Sequence, residues 1–225
     1  MTHPSPDSPA PTAPPNTVSG VLREQTAEHH KRAERSEFQR RLLKGEITLP
    51  DYIAWLGEMH HLYARLEALL AAAGPACAME TAAWRRTPEL LRDLTHFGAT
   101  PGAAPPLPAT AALLVLLDRL GEASAPALLG VLYVLEGSTN GSRYIARGLT
   151  RAFGLAPNAG LAFLDPYGEA QPDRWRHFKA ELDSAVPLAH APALVAAARS
   201  TFEAVTAIGA DVLTAAAVAT AGPDD

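Results

Sequence analysis

Apolar residues recur at helical spacing in one segment of this chain after another, and proline or glycine bounds each segment. In the clearest case, apolar side chains follow a period of about 3.6 residues over residues 52–70. Thr48 suits the N-cap of this segment, and Gly74 ends the pattern. No segment makes a convincing strand. The chain is therefore predicted to fold as helices alone.

The same signals predict one all-α domain over residues 17–220, a helical bundle of about seven to eight helices. The first helix is expected to start at Thr17 or Ser19. Residues 1–16 are rich in Pro, Ser and Thr and are expected to be a disordered tail, and residues 221–225 a disordered C-terminus. Further helices are expected at residues 38–44, 48–73, 88–96, 109–120, 126–153 with an irregular centre, 172–186 and 192–220.

Composition excludes several classes of protein. A formal net charge of −5 argues against nucleic-acid binding, which needs a surplus of Lys and Arg on one face. Cys77 is the only cysteine, so an internal disulfide and a CxxC motif are excluded. The chain shows no targeting segment, and its apolar runs are interrupted before the roughly 20 residues that a membrane span needs. We expect a cytoplasmic protein that binds neither nucleic acid nor a membrane.

Two neighbouring histidines lie in the first predicted helix, on different faces. At about 100° per residue, Arg23, His30 and Glu34 share one face, and His29 lies on the next. A neutral imidazole is a good iron ligand, a nearby carboxylate can orient it, and an arginine can bind a propionate. Periodicity alone fits a solvated helix surface better, with Glu34 paired one turn away.

A run of poor helix formers lies at the centre of the predicted helix 126–153. Gly137 and Gly141 are four residues apart and share one helix face, with Ser138 and Asn140 between them. Without Cβ atoms on that face, a flat ligand can approach the backbone closely. A loop between two helices is an equally good interpretation, because Gly-Ser and Asn-Gly are turn dipeptides.

Together these two segments resemble the heme oxygenase family. The similarity covers residues 19–70 and 129–151, and more weakly 176–184. It implies that His30, not His29, is the proximal iron ligand, with Glu34 as its polar neighbour. The implied propionate contacts are Arg23, Lys179 and Tyr133, and the implied distal residues are Gly137, Ser138, Asn140 and Gly141.

The resemblance implies an oxidoreductase that uses heme b as both cofactor and substrate. Dioxygen, with electrons from a ferredoxin, a flavodoxin or a reductase, opens the porphyrin at a meso carbon to give biliverdin, iron and carbon monoxide. The sequence of residues 133–138 is most similar to bacterial members that accompany bacteriophytochromes, which would accept the biliverdin.

Two positions depart from the family pattern. The better-studied members carry an aspartate directly after the first distal glycine, where it holds water, and here that residue is Ser138. The last glycine of the stretch is replaced by Ser142. Hydroxyl and amide groups such as those of Ser138 and Asn140 can also hold water. A heme-binding or storage protein without catalysis is the alternative function.

Two further features have open interpretations. Arg143, Arg147 and Arg151 recur every four residues and form either a solvated face or a docking patch for an acidic electron donor. Glu58 and His61 make one Glu-x-x-His motif, whereas a di-iron bundle needs two. A thiaminase-like or di-iron type of helical enzyme that never binds heme is the remaining alternative.

Overall fold

The computed structural model describes residues 16–156 and 159–221, and within these ranges every regular element is a helix. The predicted all-α class is confirmed. Most of the expected N-terminal tail, and residues 222–225, lie outside the described ranges. The described α-helices are α1 (Val18–Glu34), α2 (Glu37–Lys44), α3 (Leu49–Ala73), α4 (Thr87–His96), α5 (Pro108–Ala123), α6 (Leu128–Ala152), α7 (Gln171–Ala185) and α8 (Ala191–Ala221).

Local capping signals set where several of these helices begin and end. The Thr17 hydroxyl accepts a hydrogen bond from the Gly20 N–H at 3.1 Å, and Thr48 accepts one from the Asp51 N–H at 3.2 Å. Gly45 ends α2 in the left-handed conformation, with a φ of 70°. These contacts confirm the predicted starts of α1 and α3 and the predicted end of α2.

Helix α6 is continuous from its first to its last residue, so both the predicted irregular centre and the loop interpretation are wrong. The polar side chains of the run bond back onto carbonyls of their own helix. Ser138 Oγ donates to the Leu135 carbonyl at 2.7 Å, and Asn140 Nδ2 donates to the Gly137 carbonyl at 2.8 Å. Residues that would otherwise favour a turn therefore make their hydrogen bonds inside the helix.

Tertiary packing also holds α6 in its helical form. Near its start α6 crosses α8 so closely that a Cβ at Gly130 would lie 2.2 Å from the Leu194 carbonyl oxygen. Only glycine permits this approach. Burial of an apolar helix face outweighs poor helix propensity, which costs at most about 1 kcal/mol per glycine.

Helix α8 is long, apolar and central. It packs against α1, α3, α5 and α6, and Leu194, Ala198 and Ile208 on it are fully buried. An 18-residue window within Leu188–Val218 has a mean hydropathy of 1.4, so α8 is by length and composition a candidate membrane span. Arg199, Glu203 and Asp211 interrupt this stretch, as expected from the sequence. A core helix of a bundle can have the same composition as a membrane span, although only 28% of this window is buried in the structure.

Two carboxylates tie distant segments to the bundle. Asp93 of α4 accepts hydrogen bonds from the N–H groups of Ala162 and Phe163 at 2.9 and 2.8 Å, which fixes the segment before α7. Burial raises the pKa of Asp93. Asp183 of α7 accepts hydrogen bonds from both the N–H and the hydroxyl of Ser19 at 2.7 Å, which fixes the start of α1. These contacts position two walls of the cavity described next.

Candidate functional site

A cavity of about 880 Å³ lies between α1 and α6, with α2, α3, α7 and α8 completing its walls. Residues predicted from two separate segments of the sequence meet in it. Of the nine residues singled out from the sequence, Lys179 alone is not part of the lining; the others are Arg23, His30, Glu34, Tyr133, Gly137, Ser138, Asn140 and Gly141.

His30 lines the cavity near the end of α1, with 55% of its side chain exposed. Its Nδ1 atom lies 3.4 Å from Oε2 of Glu34, one helical turn further along. Its ring meets the ring of Phe202 on α8 edge to face, with centroids 5.6 Å apart. Because the carboxylate faces Nδ1, Nε2 is the nitrogen left to coordinate a metal ion.

His29 lies outside the cavity lining. Its side chain is 18% exposed, and its Nε2 atom lies 3.5 Å from Oε1 of Glu203 on α8. The packing of α1 against α8 therefore separates the two histidines, which helical periodicity left as alternatives.

The glycine face of α6 forms another wall of the cavity. A Cβ at Gly141 would meet no atom within 4 Å, whereas one at Gly137 would lie 3.3 Å from the Trp175 ring. The helix backbone is therefore bare toward the cavity at Gly141. A side chain at that position would occupy space that a flat ligand can use.

The α6 wall presents neutral oxygen atoms to the cavity. Ser138 and Asn140 both donate their hydrogens to α6 carbonyls, which leaves their oxygens as acceptors. Asn140 Oδ1 lies 3.3 Å from Gln171 Nε2, which donates to it. None of the α6 residues in the lining is a carboxylate, and Glu34 of α1 is the acidic residue among the described lining residues.

Cations lie along the α1 side of the cavity. Arg23 and Lys31 both line it and are exposed. Burial raises the pKa of Tyr133 to about 12, and the nearby Arg23 opposes that rise. The ammonium group of Lys179 instead lies over the ring of Trp175, 5.5 Å from its centroid. Lys31, which was not predicted, is thus better placed than Lys179 to meet an acidic group of a ligand.

Most of the apolar wall was not predicted. Helical periodicity marks such residues only as buried, because a cavity wall and a packed core share the same polarity pattern. Spatial proximity of several helices is needed to tell the two apart. The unpredicted wall residues include Trp55, Met59, Tyr63, Phe163, Trp175 and Phe202.

The arginine series on α6 is not one continuous exposed face. Arg143 is 13% exposed and lies 2.5 Å from Glu169, whereas Arg147 is 62% exposed and lies 3.7 Å from the same carboxylate. With Arg92 these residues line a second cleft of about 550 Å³. Arg143 is therefore a partly buried member of an ion pair and does not extend a surface patch.

The Glu58–His61 pair is engaged in other contacts. Glu58 accepts a hydrogen bond from the Leu107 N–H at 3.0 Å, and His61 Nε2 lies 3.0 Å from the Ala104 carbonyl oxygen. In the ranges that the structure describes, no group of three or more His, Cys, Asp or Glu side chains is placed to hold a metal ion. Burial raises the pKa of the Cys77 thiol to about 11, so it is not a thiolate at neutral pH.

The fold and the site together define a class of protein: a helical bundle around one ligand cavity, with an imidazole on α1 and a bare helix backbone on α6. A family model of heme oxygenases matches residues 16–210. The chain belongs to the heme oxygenase family.

Three known proteins illustrate the extent of the similarity. The heme oxygenase of Xanthomonas campestris pv. campestris (strain 8004) is 32% identical over 166 residues, covering 71% of this chain and 88% of that protein. Heme oxygenase 1 of Homo sapiens is 34% identical over 61 residues, which are 27% of this chain but only 21% of the human protein. Heme oxygenase-2 from Synechocystis sp. PCC 6803, solved in complex with heme and NO, has the same fold, with a TM-score of 0.82 at 20% identity and coverage of 90% and 88%.

Proposed function

We propose that this protein has the activity of its family. It binds heme b through Nε2 of His30 and, with dioxygen and external electrons, cleaves the porphyrin to biliverdin with release of iron and carbon monoxide. One observation carries the proposal. An imidazole whose Nδ1 faces Glu34 and a backbone left bare at Gly141 line a single cavity of about 880 Å³.

The residues present fit heme in size and in chemistry. The cavity falls within the range of about 300–1,000 Å³ that is usual for ligand pockets. Aromatic and aliphatic side chains such as Met59, Phe163 and Phe202 suit the apolar faces of a porphyrin. Arg23 and Lys31 are exposed on the α1 side, where their charges can pair with the two propionates.

When bound, heme supplies the iron that activates dioxygen and the porphyrin carbons that are oxidised. The chain orients these groups and limits access to them. The Glu34 carboxylate lies 3.4 Å from Nδ1 of His30 and so favours the tautomer in which Nδ1 carries the proton and Nε2 is free. Gly137 and Gly141 keep side chains away from the distal side, and the Phe163 ring helps to exclude bulk water.

Neutral acceptors complete the proposed distal side. The oxygens of Ser138 and Asn140 accept hydrogen bonds from water, and water held in this way can carry protons to the reaction. In this proposal the two residues position water and do not themselves act as acids, because an alcohol and an amide do not ionise near neutral pH.

Hemin titration of matched variants tests the iron ligand. His30→Ala is expected to alter the Soret band and to weaken hemin binding about tenfold or more, because the axial imidazole is lost. His29→Ala, one residue earlier on the same helix, is the control and is expected to leave both unchanged. An unchanged spectrum in His30→Ala contradicts the proposed ligand and favours the heme-free alternatives.

Turnover is tested separately on the hemin complex of the unaltered chain. With ascorbate as reductant in air, the Soret band is expected to decay while biliverdin appears, identified by extraction and chromatography. Persistence of the Soret band, with heme recovered intact, contradicts the enzymatic proposal. It supports the second candidate, a heme-binding or storage protein, which is favoured by one observation: no α6 residue in the lining carries a carboxylate.

The finer details belong to the same proposal. Electrons come from a ferredoxin, a flavodoxin or a reductase, and a bacteriophytochrome accepts the biliverdin, as the sequence of residues 133–138 suggests. The cytoplasmic location also stays a prediction. The proposed propionate contacts are Arg23 and Lys31, which both line the cavity. Lys179 is a less suitable candidate, because it lies outside the cavity lining.

A further inference from the structure

The side of α6 that faces away from the cavity carries a buried charge. Glu136 is 2% exposed and is absent from the cavity lining. At about 100° per residue it lies about 140° round the helix from Gly141. Arg86, at the start of α4, is 4% exposed, and its Nη2 atom lies 3.4 Å from Oε2 of Glu136. The proposed function assigns nothing to this pair.

Charged and aromatic groups from several elements surround the pair. Arg86 lies 3.9 Å from Glu89 on α4 and stacks over the Tyr167 ring at 4.4 Å. Arg174 of α7 lies over the same ring at 4.9 Å. Glu67 of α3 accepts the Arg86 N–H at 2.7 Å. Charges of both signs thus meet behind α6, and both guanidinium groups lie over the Tyr167 ring.

This cluster concentrates buried polar atoms that have no hydrogen-bond partner in the protein. Buried polar atoms nearly always have a partner, and where the protein offers none, ordered water usually supplies it. Donors and acceptors are both present here, so water molecules can bridge them. The atoms are Glu136 Oε1, Arg86 Nε, Arg174 Nε, Tyr167 OH, Glu89 Oε2 and Thr87 Oγ1.

Glu136 and Tyr63 connect this cluster to proton chemistry and to the cavity. Burial raises the pKa of Glu136 to about 7, against the opposing effects of Arg86 and Arg174. Tyr63 of α3 lines the cavity, and its pKa is raised well above its ordinary value, first by burial and then by the nearby Glu136. Tyr63 is therefore close both to the cavity and to the buried cluster around Glu136.

We propose that Arg86, Glu136, Tyr167 and Arg174 enclose an internal water-binding chamber behind α6, in which the Glu136 carboxyl releases and regains a proton. The O–H bond of the carboxyl breaks, a chamber water takes the proton, and the two guanidinium groups stabilise the carboxylate that remains. Solvent later returns a proton to Glu136, so the cycle requires no oxidant or reductant.

Infrared spectroscopy of the heme-free protein tests the chamber directly. A carboxylic C=O band is expected to titrate with a midpoint near neutral pH and to shift promptly when H₂O is exchanged for D₂O. Glu136→Gln is expected to abolish that band, and Glu169→Gln, which removes an 88% exposed carboxylate, is expected to keep it. A band that is absent from the unaltered protein, or that survives in Glu136→Gln, overturns the proposal.

A second variant keeps the test valid if Glu136→Gln does not fold. Arg174→Gln removes one of the two cations that stabilise the Glu136 carboxylate. The midpoint of the C=O band is expected to rise by about 0.5 pH unit or more, because a nearby positive charge favours the ionised form. An unchanged or lowered midpoint places the titrating group elsewhere and overturns the assignment to Glu136.

Whether the chamber communicates with the cavity is a further step that rests on the proposed function. In the hemin complex, Glu136→Gln is expected to move the pH midpoint of the ferric heme spectrum while leaving hemin affinity unchanged, and Tyr63→Phe is expected to move it as well. Unchanged midpoints in both variants overturn the link to the cavity. A failure to bind hemin instead contradicts the proposed function, and the infrared result on the heme-free protein still decides the chamber.

Discussion

The two faces of α6 satisfy their polar groups in opposite ways. Toward the cavity, Ser138 and Asn140 bond to carbonyls of the same helix three residues earlier. Away from it, Glu136 depends on Arg86, fifty residues distant in sequence, and polar atoms of both remain without a protein partner. On the cavity face the donors of Ser138 and Asn140 are thus satisfied within α6, and only the Asn140 oxygen accepts a bond from another helix, whereas the rear face depends on a long-range ion pair. Changes on the first are expected to affect ligand binding, and changes on the second stability.

The largest effect is expected from Arg86→Met on the rear face. It leaves the Glu136 carboxylate buried without its cation, which typically costs about 3–5 kcal/mol of unfolding free energy. Urea denaturation at pH 8 measures the loss. Arg147→Met is the matched control, because Arg147 is 62% exposed and its pairing with Glu169 is worth at most about 1 kcal/mol. Equal losses in the two variants would contradict the difference between buried and exposed pairs.

The pH dependence of stability gives the next largest effect. Burial raises the pKa of Glu136 from 4.5 to about 7, so the folded state holds this proton more tightly than the unfolded state. The resulting stabilisation is complete below the unfolded-state value and is lost as the pH rises through 7. The loss is about 3 kcal/mol at about 1.4 kcal/mol per pH unit.

The Glu136→Gln variant has no carboxyl group at this position, so it cannot take part in this titration. From pH 5 to pH 8 the unaltered protein is therefore expected to lose about 2–3 kcal/mol of unfolding free energy relative to the variant. Denaturation curves of both proteins at several pH values provide the comparison. A difference that stays constant with pH would show that another group carries the titration.

On the cavity face, Gly141→Leu is expected to weaken ligand binding strongly without unfolding the protein. A Cβ at this position meets no atom within 4 Å, so the side chain enters the cavity and hemin affinity is expected to fall about 100-fold. Fluorescence quenching by hemin measures this. Gly57→Ala is the control, because Gly57 also has open space around its Cβ position but does not line the cavity. Full hemin affinity in Gly141→Leu would contradict the placement of the ligand against α6.

The smallest effect is expected from Ser138→Ala. Its hydroxyl is exposed and bonds only to a carbonyl within α6, so the unfolding free energy is expected to change by at most about 0.5 kcal/mol. Thermal unfolding of the heme-free protein checks this. A loss comparable to that of Arg86→Met would contradict the claim that Ser138 is bonded only within its own helix.

The sequence predicted the helices well wherever the signals were local. Thr17, Gly45 and Thr48 mark helix ends through bonds to residues three or four positions away, so the signals and their effects lie together. At the centre of α6 the prediction failed. Poor helix propensity was visible there, but the sequence did not show that Ser138 and Asn140 would bond to carbonyls of their own helix. It also did not show that α8 would pack closely against the start of α6 at Gly130.

The site shows the same limit. His30 and Glu34 are one turn apart, so their pairing could be anticipated from spacing. Periodicity could not separate His29 from His30, because the contact of His29 with Glu203 of α8 joins residues far apart in sequence. The family resemblance was needed to predict His30. The ion pair of Arg86 with Glu136 could not be predicted from sequence spacing, because the two residues are fifty positions apart.

The arrangement of His30 and Glu34 on one helix has a consequence for how the protein exchanges its ligand. The carboxylate follows the imidazole by one turn of α1, whose other end is anchored through Ser19 to Asp183. If the free end of α1 moves outward, the imidazole of His30 and the carboxylate of Glu34 move together, because both belong to that helix. In the proposed heme complex, the contact between the imidazole and its carboxylate would therefore stay the same while α1 moved, and the imidazole would remain an equally strong electron donor to the iron.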